Sequence, residues 1–247
     1  MRFGKIGPKR MIPEGGGWAN PYVTDGLIAM WDGEWNAGGG VHDPNATRWN
    51  DLVRPDHSIK FTLLSGDVWG NDHLLTSQFH NLGGVYGGGW YFEDTGITNT
   101  IAGKTFEFVF DVDSVVQAGD HVFSWSTLQS GPFALKNVWS YLRFTGGGNG
   151  NYGNDNDSFS LSEFIGKKFA GHFSLDIDGK VLYFNGEPAR ENFTYEAGSN
   201  KSYPLQIGAF GQTVKWKSIR IYDKRLTAAE ISANYAVDAA RFNLPTA

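Results

Sequence analysis

Residues 214–242 read VKWKSIRIYDKRLTAAEISANYAVDAARF, a strand joined to a capped helix by one tight turn. Val214 to Tyr222 is rich in β-branched and aromatic residues, the composition of a half-buried strand. Asp223-Lys224-Arg225 interrupts that run. Thr227 and Glu230 then stand at the spacing of a capping box, in which the hydroxyl accepts a first-turn N–H and the carboxylate reaches back to the Thr N–H. Leu226, Ile231, Tyr235, Asp238 and Phe242 follow at helical spacing, which predicts one face docked on the body while Lys224 and Arg225 stay wet.

Working outward, the rest of the chain is strand-like. Its 247 residues include 33 Gly, and aromatic residues make up 15% of the chain. Short apolar runs separated by turn residues predict an all-β sandwich with the single helix at the end. A chain of this length buries a sizeable core without help. It has no cysteine, so neither disulfides nor thiolate metal sites hold it. The formal net charge of -5 argues against a sequence-independent grip on nucleic acid. No apolar run of membrane-spanning length occurs, so no membrane insertion is expected.

Several strands are legible. Tyr22–Trp31 is a near-continuous apolar run ending at Asp32-Gly33. Phe106, Phe108, Phe110 and Val112 alternate with Thr105, Glu107, Val109 and Asp111, which predicts one buried and one mostly polar face. His121–Ser126, Val138–Phe144 and Phe159–Leu161 read as further strands, and Trp90-Tyr91-Phe92 as another. Phe169 to Asn185 is the clearest meander: Phe169, Gly171, Phe173, Leu175 and Ile177 share a face, and Asp178-Gly179 marks a two-residue turn. Val181–Phe184 returns, and Asn185-Gly186 makes the next turn. Pro204–Ala209 supplies one more strand.

These pieces together resemble the concanavalin A-like lectin/glucanase superfamily, in particular the laminin-G-like jelly-roll domains of phage and bacterial surface proteins. The residues that carry the resemblance are Asp25-Gly26-Leu27, Trp31-Asp32-Gly33 and Trp49-Asn50-Asp51-Leu52 near the start. They continue with Asp178, Gly179, Val181, Tyr183, Asn185 and Gly186 in the hairpin, the Leu205–Gly208 strand, and the strand–turn–helix ending. The resemblance covers residues 22 to 243 and implies a two-sheet antiparallel jelly-roll sandwich with a short C-terminal helix packed on its edge. Residues 1–20 are then an extended arm and 21–247 the jelly-roll domain. The family's usual strand ahead of Phe106 is replaced by NLGGVYGGGWYFEDTGI, which weakens transfer of loop function more than of fold.

Signals for chemistry are sparse. Glu107, Asp111 and Asp113 could share a strand face, but EFVFDVD does not fit the E-x-D-x-x-E arrangement that glucanases of this fold use. Glycoside hydrolysis needs two carboxyls at a set separation with one kept protonated. A solvated outer strand face accounts for these acids, and no catalytic residue is assigned. His42, His57, His73, His80, His121 and His172 are scattered without metal-ligand spacing. The segment NGNYGNDND, residues 149–157, is rich in hard oxygen donors, so Ca²⁺ is the one cofactor considered, with Asp155 and Asp157 as ligands. Its alternative is a solvated Asx-rich hairpin loop. Trp35, Trp69, Tyr86 and Tyr152 sit in Gly/Asn-rich loops and are the candidate platforms for sugar rings, while Trp31, Trp125, Trp139 and Trp216 read as core.

The N-terminal stretch carries Arg2, Lys5, Lys9 and Arg10 with prolines and a glycine triplet that block regular structure. It reads as a partner-binding arm lying on its own body or on a neighbouring subunit. It lacks the apolar segment of an export signal. The expectation is a non-enzymatic phage virion protein (capsid decoration, head fibre or tail component), made in the host cytoplasm and displaying a lectin-like domain toward host glycans. A free bacterial lectin and a glycan hydrolase are the alternatives.

Overall fold

The computed structural model describes residues 19–55, 59–60, 68–76, 103–112, 120–127, 130–138, 141–144, 158–160, 169–176, 179–191, 205–207 and 214–245. The larger sheet has eight strands in the order β13-β12-β11-β6-β15-β5-β4, with β1 also paired to β15. Its members are β1 (Leu27–Asp32), β4 (Val68–Trp69), β5 (Leu74–Thr76), β6 (Thr105–Val112), β11 (Phe169–Asp176), β12 (Val181–Phe184), β13 (Glu187–Glu191) and β15 (Val214–Tyr222). The second sheet runs β10-β9-β8-β7-β14, from β7 (Asp120–Thr127), β8 (Ser130–Val138), β9 (Tyr141–Phe144), β10 (Ser158–Ser160) and β14 (Leu205–Ile207). β2 (Arg48–Trp49) and β3 (Ile59–Lys60) make a separate ribbon. Every pairing is antiparallel. The fold is thus the expected all-β sandwich, closed by one helix, α1 (Ala228–Phe242).

β15 organises the large sheet. One of its sides pairs along its length with β6. The other side is shared: Val214–Trp216 pairs with β5, and Ser218–Tyr222 with β1. The register slips between Trp216 and Ser218, leaving Lys217 as the bulged residue. Phe106, Phe108 and Phe110 of β6 share one face with Phe173 and Leu175 of β11, and with Trp216, Ile219 and Ile221 of β15. All are at most 2% exposed. Phe110 stacks on Phe173 at 5.4 Å and lies 5.3 Å from Trp216. Burial of each such side chain is worth about 1.5–3 kcal/mol, so this layer contributes substantially to the stability of the large sheet.

The opposite face of the same sheet differs from the sequence expectation. All eight residues of β6 are buried, the polar ones included, because α1 lies across this face rather than along an edge. Ile231 joins Tyr183, Tyr222 and Leu226 in one apolar cluster, and Tyr235 and Phe242 join Val109 and Leu244 in another. The stripe read from the sequence is therefore the docked one, from Leu226 through Phe242. Both hydrogen bonds of the Thr227–Glu230 capping box are present, and Asn243 ends the helix in the left-handed conformation at φ 53°.

The Asn185-Gly186 turn is where the sequence placed it; in the other hairpin Asp178 lies outside the described residues and the positive φ, 53°, falls on Lys180. β11 and β12 pair from Phe173↔Phe184 to Asp176↔Val181, and Asn185 (φ 50°) with Gly186 (φ 83°) turns the chain into β13. Gly186 also lies close under the helix, since a Cβ there would sit 2.8 Å from the Tyr235 ring. The run Val138–Phe144, read as one strand, is two: β8 ends at Val138 and β9 starts at Tyr141. Val138 and Tyr141 are antiparallel partners, which alternation alone does not mark. β1 starts at Leu27 rather than Tyr22. Trp90-Tyr91-Phe92 lies outside the described residues.

Candidate functional site

One end of the large sheet carries the ordered loop between β1 and β2. Asn36 and Asp43 clamp it reciprocally: the Asn36 amide donates to the Asp43 carbonyl at 2.8 Å, and the Asp43 N–H donates to Asn36 Oδ1 at 2.8 Å. Asn50 Nδ2 donates to the Ala37 carbonyl at 2.8 Å, and the Trp49 indole to the Asp32 carbonyl at 2.9 Å. Asp51 accepts from the N–H groups of Met30 and Val53. These bonds tie the loop to β1 and leave Gly39, Gly40 and Val41 exposed at its rim. Val68 lies exposed on β4.

Trp35 and Trp69, two of the four predicted sugar platforms, fall in this region and behave differently. Trp35 is half-buried. The Arg241 guanidinium sits 3.8 Å from its ring centroid, itself fixed by Asp32 at 2.8 and 2.9 Å and by Glu34 at 2.9 Å. Its orientation is therefore set from the far end of the chain. Trp69 corrects the expectation. It is 7% exposed, donates its indole N–H to the Ala46 carbonyl at 2.9 Å, and meets Trp49 edge-on at 5.6 Å. A ring so enclosed plugs the loop against β4 and has no face for a pyranose. Tyr86, Tyr152, Asp155 and Asp157 lie outside the described residues, as do Arg2, Lys5, Lys9 and Arg10. Among the described residues no group of three His, Asp or Glu side chains is placed to hold a metal ion.

The acids of β6 are also corrected: they are not on a solvated face. Glu107 is 0% exposed and accepts from Arg220 Nε at 2.7 Å and from Asn234 Nδ2 at 2.9 Å. Arg220 extends to Asp238 on α1, with bonds of 3.0 and 2.5 Å. Asp238 also accepts from the Tyr22 hydroxyl at 2.6 Å, and Asn234 donates to the Tyr222 hydroxyl at 2.9 Å. The Arg220 guanidinium covers the Tyr22 ring at 3.9 Å. Burial alone would raise the Asp238 carboxyl; the Arg220 charge and hydrogen bond reverse this and hold it below the ordinary value. Burial pushes the Tyr22 phenol well up, so it stays neutral. His172 of β11 lies within this layer, 3.3 Å from Glu107. Asp113 lies outside the described residues.

Asp111 serves a second, smaller network. Lys217, turned out by the bulge, reaches Asp111 at 3.3 Å and Asp72 at 3.0 Å. Asp72 in turn bonds His73 Nδ1 at 2.6 Å. That hydrogen bond is the main influence on Asp72, and with Lys217 it outweighs burial and holds the carboxyl well below its ordinary value. His42 Nδ1 lies 3.1 Å from the Gly33 carbonyl oxygen. These groups are tied up in structure.

The Arg220–Asp238 pair is the feature that sequence reading did not assemble: it places Asp238 on the docked stripe and does not single out Arg220. Asp238 occupies the docked stripe of α1, and Arg220 interrupts the apolar run of β15. A charged residue at a buried position requires a partner.

No family model matches the chain, and no curated protein sequence matches it. The likeness is to solved structures. The receptor binding domain of botulinum neurotoxin D superposes with a TM-score of 0.58 at 14% identity, covering 87% of this chain and 53% of that one. Trypanosoma rangeli sialidase in complex with sialic acid gives 0.56 at 14% identity, covering 87% of this chain and 33% of the other. At such identity the agreement is one of fold. The chain spans about a third of the sialidase and about half of the toxin domain.

Proposed function

We propose that the chain is a non-enzymatic, lectin-like recognition module whose loop end, with Trp35 at its base, holds host glycans. The observation that carries this reading is the fate of the acids: Glu107 and Asp111, which a strand-borne hydrolase would need facing substrate, are 0% and 5% exposed and taken up by Arg220, Asn234 and Lys217. The usual glycosidase places two carboxyls beside one bond, although sialidases use a tyrosine nucleophile instead. Among the described residues the hydrogen-bonded loop between β1 and β2 offers an accessible rim, a suitable place for recognition on a jelly roll. The fold likeness to a toxin's receptor binding domain and to a sialidase holding sialic acid supports a glycan-facing role, as analogy.

We further propose that the module is displayed on a phage particle. This rests on the basic arm, with Arg2, Lys5, Lys9 and Arg10 as contacts to other virion proteins or to copies of the same chain. It rests also on the resemblance of the strand–turn–helix ending to phage structural modules. Should calcium bind, Asp155 and Asp157 are its ligands.

A glycan array with the intact chain and with Trp35→Ala tests the first reading: binding that falls at least tenfold in the variant supports it, and no binding to any glycan overturns it. Turnover of an oligosaccharide that survives in the wild type and vanishes in Glu107→Gln would make it an enzyme instead. Mass spectrometry of purified particles tests the second; particles lacking the chain leave a free bacterial lectin.

A further inference from the structure

The polar layer beneath α1 does not close in charge. Arg220 brings one positive charge against the carboxylates of Glu107 and Asp238, and all three side chains are 0% exposed. The neighbouring cations pair with other carboxylates: Arg241 with Asp32 and Glu34, touching the layer through the Tyr22 hydroxyl at 2.5 Å, and Lys217 with Asp72 and Asp111. Tyr22 and Tyr222 face the layer as neutral phenols, and Ser174 beside His172 on β11 adds no charge. Asp176, at the end of β11, is paired with Arg225. A net negative charge sealed from water is among the costliest arrangements a fold can hold.

His172 stands between the two carboxylates. Its Nε2 is 3.3 Å from Glu107 Oε1 and its Nδ1 is 3.9 Å from Asp238 Oδ2, with the side chain 0% exposed. A neutral imidazole carries one N–H and one lone pair. In either tautomer, an unprotonated ring nitrogen would then lie near a carboxylate oxygen, at ion-pair rather than hydrogen-bond geometry. Neither ring nitrogen has a hydrogen-bond partner, and neither does Glu107 Oε1. Tyr235 of α1 lies nearly parallel to the imidazole, with centroids 6.0 Å apart, and offers a ring face to a cation.

We infer that this layer is a proton-binding site: at neutral pH the folded chain holds one proton between His172 and Glu107 Oε1, and that proton latches α1 onto the sheet. With it, Glu107 and Asp238 balance Arg220 and the imidazolium. An unfolded histidine gives up its proton near about pH 6.5. A folded state that keeps the proton above that value binds more protons than the unfolded state, so stability falls as pH rises. The dependence per pH unit is at most about tenfold in the folding constant for one proton.

The test uses the full chain, ¹⁵N-labelled, with the His172 ring assigned by comparison with His172→Gln. At pH 7.5 both ring nitrogens should show protonated shifts, and between pH 7 and 8.5 the folding constant should fall more steeply than in His172→Gln. A neutral ring, with slopes that match between wild type and both His172→Gln and Glu107→Gln, overturns the inference. A neutral ring with a slope abolished by Glu107→Gln supports it, with Glu107 as holder. If His172→Gln does not fold, the wild-type ring shifts, assigned through the Tyr235 contact, decide the matter.

Discussion

Arg220 on the central strand and Asp238 on the closing helix meet through two hydrogen bonds of 3.0 and 2.5 Å, each side chain fully enclosed. The pair joins the last helix to the middle of the sheet, and Tyr22 brings in the segment before β1. Helix docking is therefore specified by polar geometry as well as by the Ile231, Tyr235 and Phe242 contacts.

Removing one partner leaves the other charge buried. Asp238→Ala is expected to cost about 3–5 kcal/mol, the range for a broken buried pair, read as a lower midpoint in urea unfolding. Asp238→Asn, which keeps the shape, should cost less. Equal, near-zero losses in both would show that the pair contributes nothing.

Thr227 accepts the Glu230 N–H at 3.2 Å, and Glu230 accepts the Thr227 N–H at 2.8 Å. Thr227→Ala should lower stability by about 1 kcal/mol, with faster amide exchange confined to the first turn of α1. Thr227→Ser should restore both.

Gly33 follows β1 and donates to the Lys217 carbonyl at 2.7 Å, beside the bulge. A Cβ there would lie 2.6 Å from the Asp72 carbonyl oxygen and 2.6 Å from His73 Cα. Those are backbone atoms that no rotamer change can move. Gly33→Ala should cost about 1–3 kcal/mol through overpacking, measured by thermal unfolding; an unchanged midpoint would show that the loop gives way freely.

Asp72 is held below its ordinary value by His73 and Lys217. A depressed carboxylate contributes stability that is present above the unfolded value, about 3.9, and lost as pH falls toward its folded value. Stability should therefore drop on acidification below about pH 4, and Asp72→Asn should reduce that drop. Parallel acid-unfolding curves for the two chains would contradict it.

Much of this fold is legible in local sequence. The capping box, the helical stripe ending at Phe242, the alternation of Thr105–Val112 and the Asn185-Gly186 turn each depend on residues a few positions apart. Short-range sterics and hydrogen bonding decide such features. Trp69 was misread because a loop tryptophan looks the same whether its ring faces solvent or Trp49. Glu107 and Asp111 were misread for a related reason. Period-2 alternation separates two faces but does not say what covers the second one.

By itself, the sequence determined the strand–turn–helix ending and the hairpins, and with them an antiparallel sandwich closed by a helix. Only the tertiary structure decided that α1 crosses the polar face of the large sheet, turning Glu107, His172, Arg220 and Asp238 from surface charges into one enclosed network. These residues are separated by up to 131 positions, and their meeting depends on β6, β11 and β15 lying side by side. Strand order is set by which faces must be buried together, and no local pattern encodes that.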